Sequence, residues 1–228
     1  MKKFVVVSIV VAFLGLMMVC QALATPTLKL MDGIAADTVT ISDNGLGDTN
    51  SALGKVFWSG TVGDYAVNVA FGITKPAAGS ASNPILDLTF NVQSNTTTSQ
   101  TLSLLFSETD YTAPGSGSLD TSITLLPGTI LTSSAYFGAN NALFDLGNQI
   151  GSTLTFTSSG HWLVSGGSAP LTPYSLTEII TVAPNADRGD VKVVSGDQIT
   201  TVPEPGTLLL LGFGISGLGF IGRRNRKS

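Results

Sequence analysis

Short runs of apolar and β-branched residues, broken by Gly, Asn, Asp, Ser and Pro, fill the chain between residues 25 and 201. Within residues 85–92 apolar and polar positions alternate strictly, and the apolar set is Leu86, Leu88, Phe90 and Val92. Residues 65–71 alternate too, which predicts one face formed by Tyr65, Val67, Val69 and Phe71. One buried and one wetter face is typical of strands in antiparallel sheets.

Strand-like segments with turn residues between them recur along this whole region. They are residues 27–31, 37–42, 55–60, 64–72, 84–94 and 101–106, followed by TSITLL, GTILTSSAYFG, STLTFTS, YSLTEIITV and DVKVV. Residues 94–101 predict a turn between paired strands, and residues 112–120 a flexible loop. Because a helical repeat is missing, the pattern predicts an all-β fold, an antiparallel two-sheet sandwich of jelly-roll-like or immunoglobulin-like type.

The first 24 residues have the parts of a secretory signal peptide: two lysines, an apolar stretch, and small side chains at Ala22 and Ala24. We expect signal peptidase to cut after Ala24. Lipidation of Cys20 is the less favoured alternative, because Val19 is not the small residue that lipidation normally requires before the cysteine.

The C-terminal end predicts a transmembrane helix. Residues 206–222 carry no charge, and a basic tail at residues 223–228 follows them, with Arg223, Arg224, Arg226 and Lys227. As a helix the uncharged segment would be about 25 Å long, near the short limit for a membrane span. Basic residues favour the cytoplasmic side, so both ends predict that the domain at residues 25–201 lies outside the inner membrane.

Charge excludes one class of partner. Between the two basic ends lie five basic residues and all 15 acidic ones, a net charge of −10. Such a domain is repelled by nucleic acid. Cys20 is the only cysteine, so a mature chain without it has no disulfide, thiolate nucleophile or cysteine-bound metal.

The stretch MDGIAADTVTISDNGLGDTN gathers oxygen side chains around glycines. Such ligands suit calcium, and Asp43 and Asp48 are the candidate ligands. The spacing does not match an EF-hand loop or a repeated calcium motif. A simpler interpretation is that Asp43 and Asp48 belong to the turn of a hairpin. Apart from calcium, no cofactor is expected.

Catalysis has few candidate residues. His161 is the single histidine, and no G-x-S-x-G motif marks a nucleophilic serine. A glycosidase would need two carboxylates in a cleft, and Glu108 and Glu178 are more simply explained as solvated residues that discourage edge pairing. We therefore predict that the protein is not an enzyme, with a secreted hydrolase as an alternative.

Sugar binding is a stronger alternative, because sandwiches present aromatic rings to glycans. Phe57 and Trp58 are adjacent in a predicted strand, so one of them should point outward. Core packing is favoured for Trp58. The alternative function is a carbohydrate-binding or adhesive module.

The last 27 residues, from VPEPG to the basic end, resemble the PEP-CTERM sorting domain. The resemblance covers residues 202–228, with the motif at Pro203, Glu204 and Pro205. Prolines on both sides of Glu204 keep this backbone extended and out of a helix. The segments TVTISDNGLGD, VGDYAVNVAFGITKPAAGS, LSLLFSETDYT and PYSLTEIITV also resemble uncharacterised exported proteins with such a tail.

The resemblance implies a partner and a destination. An exosortase, a multi-pass membrane protease or transpeptidase, would recognise the motif and cut near it in a Gram-negative bacterium that makes exopolysaccharide. The chain would be held briefly in the inner membrane and then reach the cell surface or extracellular matrix. A biofilm role associated with exopolysaccharide is the function that this predicts.

Overall fold

Twelve β-strands make up the fold in a computed structural model, which describes residues 25–34, 37–94, 100–184 and 192–202. The predicted signal peptide, with Ala22 and Ala24, and the predicted span at 206–222 lie outside these residues. The strands are β1 Thr27–Met31, β2 Val39–Ser42, β3 Lys55–Val62, β4 Tyr65–Ile73, β5 Ile85–Ser94, β6 Leu102–Tyr111, β7 Ser116–Leu125, β8 Ile130–Gly138, β9 Asn148–Phe156, β10 Gly160–Gly166, β11 Tyr174–Ala183 and β12 Lys192–Val202.

The strands form two six-stranded antiparallel sheets. Sheet A has the order β2-β1-β6-β11-β8-β9, and sheet B has the order β10-β7-β12-β5-β4-β3. The eight strands from β5 to β12 follow the jelly-roll order, in which successive strands change sheets except at the β8–β9 hairpin. The β1–β2 hairpin extends sheet A, and β3 and β4 extend sheet B. The two-sheet sandwich is therefore confirmed, and its strand order is that of a jelly roll.

The core lies between the sheets and is built by alternation. The four apolar side chains of β5 predicted to share a face are all fully buried: Leu86, Leu88, Phe90 and Val92. Packing against them are buried residues of sheet A, among them Leu104, Phe106 and Ile180. Burial of such side chains is the main stabilising contribution in a fold that has no disulfide.

The prediction for β4 is wrong in its second half. Tyr65 and Val67 are buried as expected, but the pairing with β5 shifts register between Val67 and Val69. The extra residue of this bulge reverses the alternation, so Ala70 is fully buried whereas Phe71 is only partly buried. Sequence alternation alone does not reveal a bulge.

Three connections differ from their predictions. Residues 94–101 do not link paired strands, because β5 belongs to sheet B and β6 to sheet A; residues 95–99 are outside the described part. Residues 43–54 likewise cross from β2 in sheet A to β3 in sheet B, so they are not a hairpin turn. Most of the predicted loop at 112–120 is the start of β7.

The two ends of the sandwich carry different connections. The end where β12 finishes at Val202, which we call the tail end, also carries residues 43–54, 74–84, 112–115, 139–147 and 167–173. Residues 25–26 enter β1 there as well, since Thr27 lies opposite Ser107 near the end of β6. The strand ends that the remaining connections join lie at the opposite end.

Candidate functional site

The sorting motif begins where the described sandwich stops. Val202 is the last residue of β12 and lies opposite Ser116 in sheet B. Pro203, Glu204, Pro205 and the basic tail with Arg223, Arg224, Arg226 and Lys227 lie outside the described residues. The described residues contain no helix with the length and apolarity of a membrane span.

The outer face of sheet B offers a surface for a ligand. Strand register places six residues in one row across all six strands: Phe57, Phe71, Thr89, Gly196, Ser122 and His161. With strands about 4.8 Å apart, this row is about 24 Å long. It has aromatic rings at one end, hydroxyl groups in the middle and an imidazole at the other end, and we call it the sheet B row.

A depression lies at the middle of the sheet B row. Its volume is about 280 Å³, and Thr89, Ser122, Thr124 and Gly196 are among the residues that line it. Gly196 makes the depression because a side chain there would enter open space, with the Thr89 hydroxyl 3.8 Å from a Cβ atom. The lining is therefore rich in hydroxyl groups, which donate and accept hydrogen bonds.

Two amide-containing pairs flank the row on the same face. Gln198 donates to the Asp87 carboxylate at 3.3 Å, and Asn68 donates to the Asn91 side-chain oxygen at 3.3 Å. Burial raises the pKa of Asp87, and hydrogen bonds from Gln198 and Thr89 partly offset that effect. The face thus combines hydroxyl, amide and carboxyl groups with two phenylalanines.

The aromatic end of the row shows which of the adjacent residues Phe57 and Trp58 points outward. Phe57 lies on the outer face against Phe71, with ring centroids 6.0 Å apart. Trp58 is partly buried and packs against the hydrophobic core, and its ring approaches Gly60 closely enough that no side chain would fit there. Core packing of Trp58 is confirmed, and Phe57 is the outward residue.

His161 lies at the far end of the row on edge strand β10. Its Nε2 atom is 2.5 Å from Asp120 Oδ1 on β7, and both side chains are exposed. The neighbouring Trp162 lies on the other face of β10 and packs edge-on against Phe156, at 4.8 Å between ring centroids, but it is still 43% exposed. Hydrogen-bonding to Asp120 orients the imidazole on the surface, where it is available to a ligand.

Asp43 and Asp48 both serve the backbone of residues 43–54. Asp43 Oδ2 accepts from the Gly54 amide at 2.8 Å, and Asp48 Oδ1 accepts from the amides of Asn50 at 2.9 Å and Phe57 at 3.0 Å. Asp48 Oδ2 accepts from the Asn44 amide at 2.8 Å. These bonds brace the crossing between sheets. In the described ranges, no three His, Cys, Asp or Glu side chains gather in a metal-binding group.

Glu178 is not solvated, contrary to the sequence-based expectation. It lies on β11 between β6 and β8 and is fully buried. Facing it from β12 is Asp197, only 1% exposed. Among the described residues no N–H or hydroxyl group donates to either Glu178 oxygen, so the hydrogen-bond partner left to this side chain is the Asp197 carboxyl group. Burial is the main reason that the pKa of Glu178 is raised well above its usual range. It is also the main reason that the pKa of Asp197 is raised to about 7.

Glu108 is also buried rather than solvated, at the tail end of β6. Its Oε1 atom pairs with Lys75 Nζ at 3.0 Å, and its Oε2 atom accepts from the hydroxyls of Thr74 at 2.5 Å and Tyr111 at 2.7 Å. Burial raises the pKa of Glu108 and lowers that of Lys75, while their mutual attraction opposes both shifts. The cluster ties β4 in sheet B to β6 in sheet A.

Sequence reasoning missed the sheet B row and the inward acids for different reasons. The row depends on register between strands far apart in the chain, which no local pattern encodes. The burial of Glu178 did have a signal in the sequence. Glu178 alternates with Leu176, Ile180 and Val182 in YSLTEIITV, which places it on the same face of the strand as these apolar residues. Asp197 likewise lies on the same face of β12 as the buried residues Val193 and Ile199.

Comparison with protein families finds one match. The PEP-CTERM protein-sorting motif covers residues 201–227, which confirms the resemblance seen in the sequence there. The resemblance of the rest of the chain to exported proteins with this tail stays a prediction. No curated protein matches the chain.

Among solved structures, similarity extends to carbohydrate-binding domains. A family 61 carbohydrate-binding module in complex with β-1,4-galactotriose is 8% identical, covers 60% of this chain and 88% of its own, and has a TM-score of 0.32. A family 22 xylan-binding domain from Paenibacillus barcinonensis is 14% identical, covers 70% and 90%, and has a TM-score of 0.32. At these values the likeness assigns no ligand to this chain.

Proposed function

We propose that this chain, a PEP-CTERM protein by the motif at its C-terminal end, is an exported, non-enzymatic surface or matrix protein that an exosortase sorts and cuts. The observation that carries the proposal is the match at residues 201–227. Signal peptidase removes residues 1–24, and the inner membrane holds the chain briefly through residues 206–222. The protein then associates with exopolysaccharide in a biofilm.

The placement of the carboxylates supports a non-enzymatic role. Glu178 and Asp197 face each other inside the core, and Glu108 is held by Lys75 and two hydroxyl groups. A glycosidase needs its two carboxylates on either side of a substrate bond in an accessible cleft. These three residues do not meet that requirement, and calcium at Asp43 and Asp48 stays a secondary proposal.

Intact mass of the exported protein tests processing. In a host with an exosortase, the wild-type chain should lose the residues beyond the motif, whereas Glu204→Ala should keep them through Ser228. Asp64→Ala, which removes an acidic residue at the opposite end, should be processed as the wild type is. If wild type and Glu204→Ala both keep the tail, residues 206–222 are a plain anchor and the sorting proposal is wrong.

A second candidate function, polysaccharide binding, is favoured by the sheet B row. Aromatic rings pack against the apolar faces of sugars, and hydroxyl and amide groups exchange hydrogen bonds with sugar hydroxyls. An extended row of about 24 Å matches several consecutive residues of a polymer better than a single sugar. Because the domain is strongly acidic, the expected ligand is a neutral polysaccharide.

Affinity electrophoresis through gels that contain xylan, galactan or hydroxyethyl cellulose tests this candidate. The polysaccharide should slow the wild-type chain in the gel. This retardation should be at least about threefold smaller for Gly196→Val, which fills the depression, and for Phe71→Ala, which removes the ring. Thr155→Ala on the exposed side of sheet A is the matched control and should leave retardation unchanged. Equal retardation of all variants would place binding elsewhere.

A further inference from the structure

Exposed leucines are concentrated at the tail end of the sandwich. Five project there from three connections: Leu46, Leu53, Leu143, Leu146 and Leu171. Leu46 is 100% exposed and Leu171 is 93% exposed. At the opposite end, two large apolar side chains of the described residues are exposed, Ile34 at 46% and Ile130, the first residue of β8, at 43%. Apolar residues gathered on one side of a protein mark an interaction surface.

The leucine at the tip of residues 43–54 is held in its exposed position. Asn44 and Gly47 on either side of Leu46 have positive φ angles of 54° and 92°, which turn the backbone tightly. Asp48 fixes both sides of this turn by accepting from the amides of Asn44 and Asn50. Leu46 is therefore presented to its surroundings and does not fold back onto the core.

The connection at residues 139–147, which carries Leu143 and Leu146, is braced in the same way. Asn141 Nδ2 donates to Asp110 Oδ1 at 2.6 Å, and the Asn140 amide donates to Asp145 Oδ2 at 2.8 Å. These bonds also hold the carboxylates of both aspartates against protein groups. The acidic residues at this end are thereby tied into the loops that carry the leucines.

Leu171 lies on a connection that is tied to two of its neighbours. The Ala169 amide donates to the Gly115 carbonyl at 2.8 Å, and Asn148 Nδ2 donates to the Ser168 carbonyl at 3.2 Å. Residues 112–115 and the start of β9 therefore fix the base of this loop. Each of the three leucine-bearing connections is thus braced by hydrogen bonds within itself or to its neighbours.

The chain itself specifies what this end faces. Val202 ends β12 at the tail end, and the uncharged segment predicted to enter the membrane starts only four residues later, at Gly206. Four extended residues reach at most about 14 Å. A sandwich on so short a tether must turn its tail end, and not its opposite end, toward the bilayer.

We infer that the tail end is a membrane-docking surface whose exposed leucines enter the interfacial layer of the bilayer while residues 206–222 are inserted. The inference rests on the proposed transient anchoring, and it commits to lipid as the occupant. Shallow insertion of apolar side chains follows the physics of peripheral membrane binding. Since the domain carries excess negative charge, the attraction comes from apolar burial and requires no anionic lipid.

Fluorescence quenching on the chain from Thr25 to Ser228 tests the inference. This chain has no cysteine, so Leu46→Cys, Leu171→Cys, Ser82→Cys and Ile34→Cys each give one labelling site for an environment-sensitive dye. The chain is placed, one copy per disc, in phosphatidylcholine nanodiscs with a spin label on the upper acyl chain. Dyes at Leu46→Cys and Leu171→Cys should be quenched at least about threefold more than at Ile34→Cys.

Ser82→Cys separates insertion from proximity, because it is an exposed polar site at the same end. Its quenching should lie below that of both leucine sites. A dye at Leu53→Cys should lose most of its quenching when Leu46→Asp and Leu171→Asp are added. Since all these sites are exposed, the fold should survive each change, and circular dichroism checks this.

Each outcome has a distinct meaning. Equal quenching at Leu46→Cys, Leu171→Cys, Ser82→Cys and Ile34→Cys in a chain that has entered the discs overturns the docking surface and leaves the sorting proposal standing. Quenching that requires two chains per disc also overturns it, in favour of a second copy as the occupant. A chain that does not enter the discs overturns the anchor and the docking surface together.

Discussion

The Glu178 and Asp197 pair concentrates two ionisable groups in an interior that cannot solvate a second negative charge. Both carboxyl groups hold their protons to a higher pH in the folded protein than in the unfolded chain, because burial disfavours ionisation. The folded state therefore binds more protons than the unfolded state between the ordinary carboxyl pKa near 4 and about pH 7. The contribution of this pair to the free energy of unfolding therefore falls as the pH rises through this window.

Glu178→Gln should reduce this loss. The variant keeps the side-chain volume, removes one ionisable group and lets an amide donate to the Asp197 carboxylate. We expect nearly unchanged stability at pH 5 and a gain on the order of 1 to 3 kcal/mol at pH 8. Urea unfolding at both pH values measures it, with Asp64→Asn, at a partly exposed position beside β4, as the control. A wild-type stability that does not change from pH 5 to pH 8 would contradict the argument.

At the scale of elements, the Asp48 carboxylate makes three of the bonds that brace the crossing at residues 43–54. Asp48 accepts from the amides of Asn44, Asn50 and Phe57, and so joins the turn to the first residues of β3. These backbone partners give the Asp48 side chain a structural role in the crossing. The same contacts hold Leu46 in its exposed position.

Asp48→Ala should destabilise the sandwich by about 2 kcal/mol, because three backbone amides lose their acceptor. Asp48→Asn, which keeps one acceptor oxygen, should cost less, and Asp37→Ala serves as the control outside this crossing. Thermal unfolding in calcium and in EDTA measures both effects. A melting temperature that rises with calcium in the wild type and not in Asp48→Ala would instead establish the calcium site.

Strand content could be predicted well from the sequence because alternation is a local property. β5 is the clearest case, since all four of its predicted core residues are buried. β4 shows the limit: a bulge near Asn68 reverses which side chains face inward, and the bulge depends on pairing with β5. Connections between sheets were beyond prediction for the same reason, because a turn sequence does not specify which sheet receives the next strand.

At the scale of the whole molecule, the two surfaces for which roles are proposed are separate. The sheet B row lies on a broad face, whereas the exposed leucines lie at the tail end, so docking at the membrane leaves the row open to a polymer. Neither surface was visible in the sequence. The row can be recognised only when the order of the six strands of sheet B is known. The leucine-bearing end can be recognised only when it is known which ends of the twelve strands lie together.

The position of β12 sets the order of events during export. It is the last strand to be made, yet it lies inside sheet B, where it pairs with both β5 and β7. Until β12 is in place, no strand of sheet B links the β7–β10 pair to β3, β4 and β5. On the proposed export route, with the N-terminus crossing first, sheet B would close only after almost the entire chain has crossed the membrane. Completion of folding and arrival of the sorting motif at the membrane would then be nearly simultaneous.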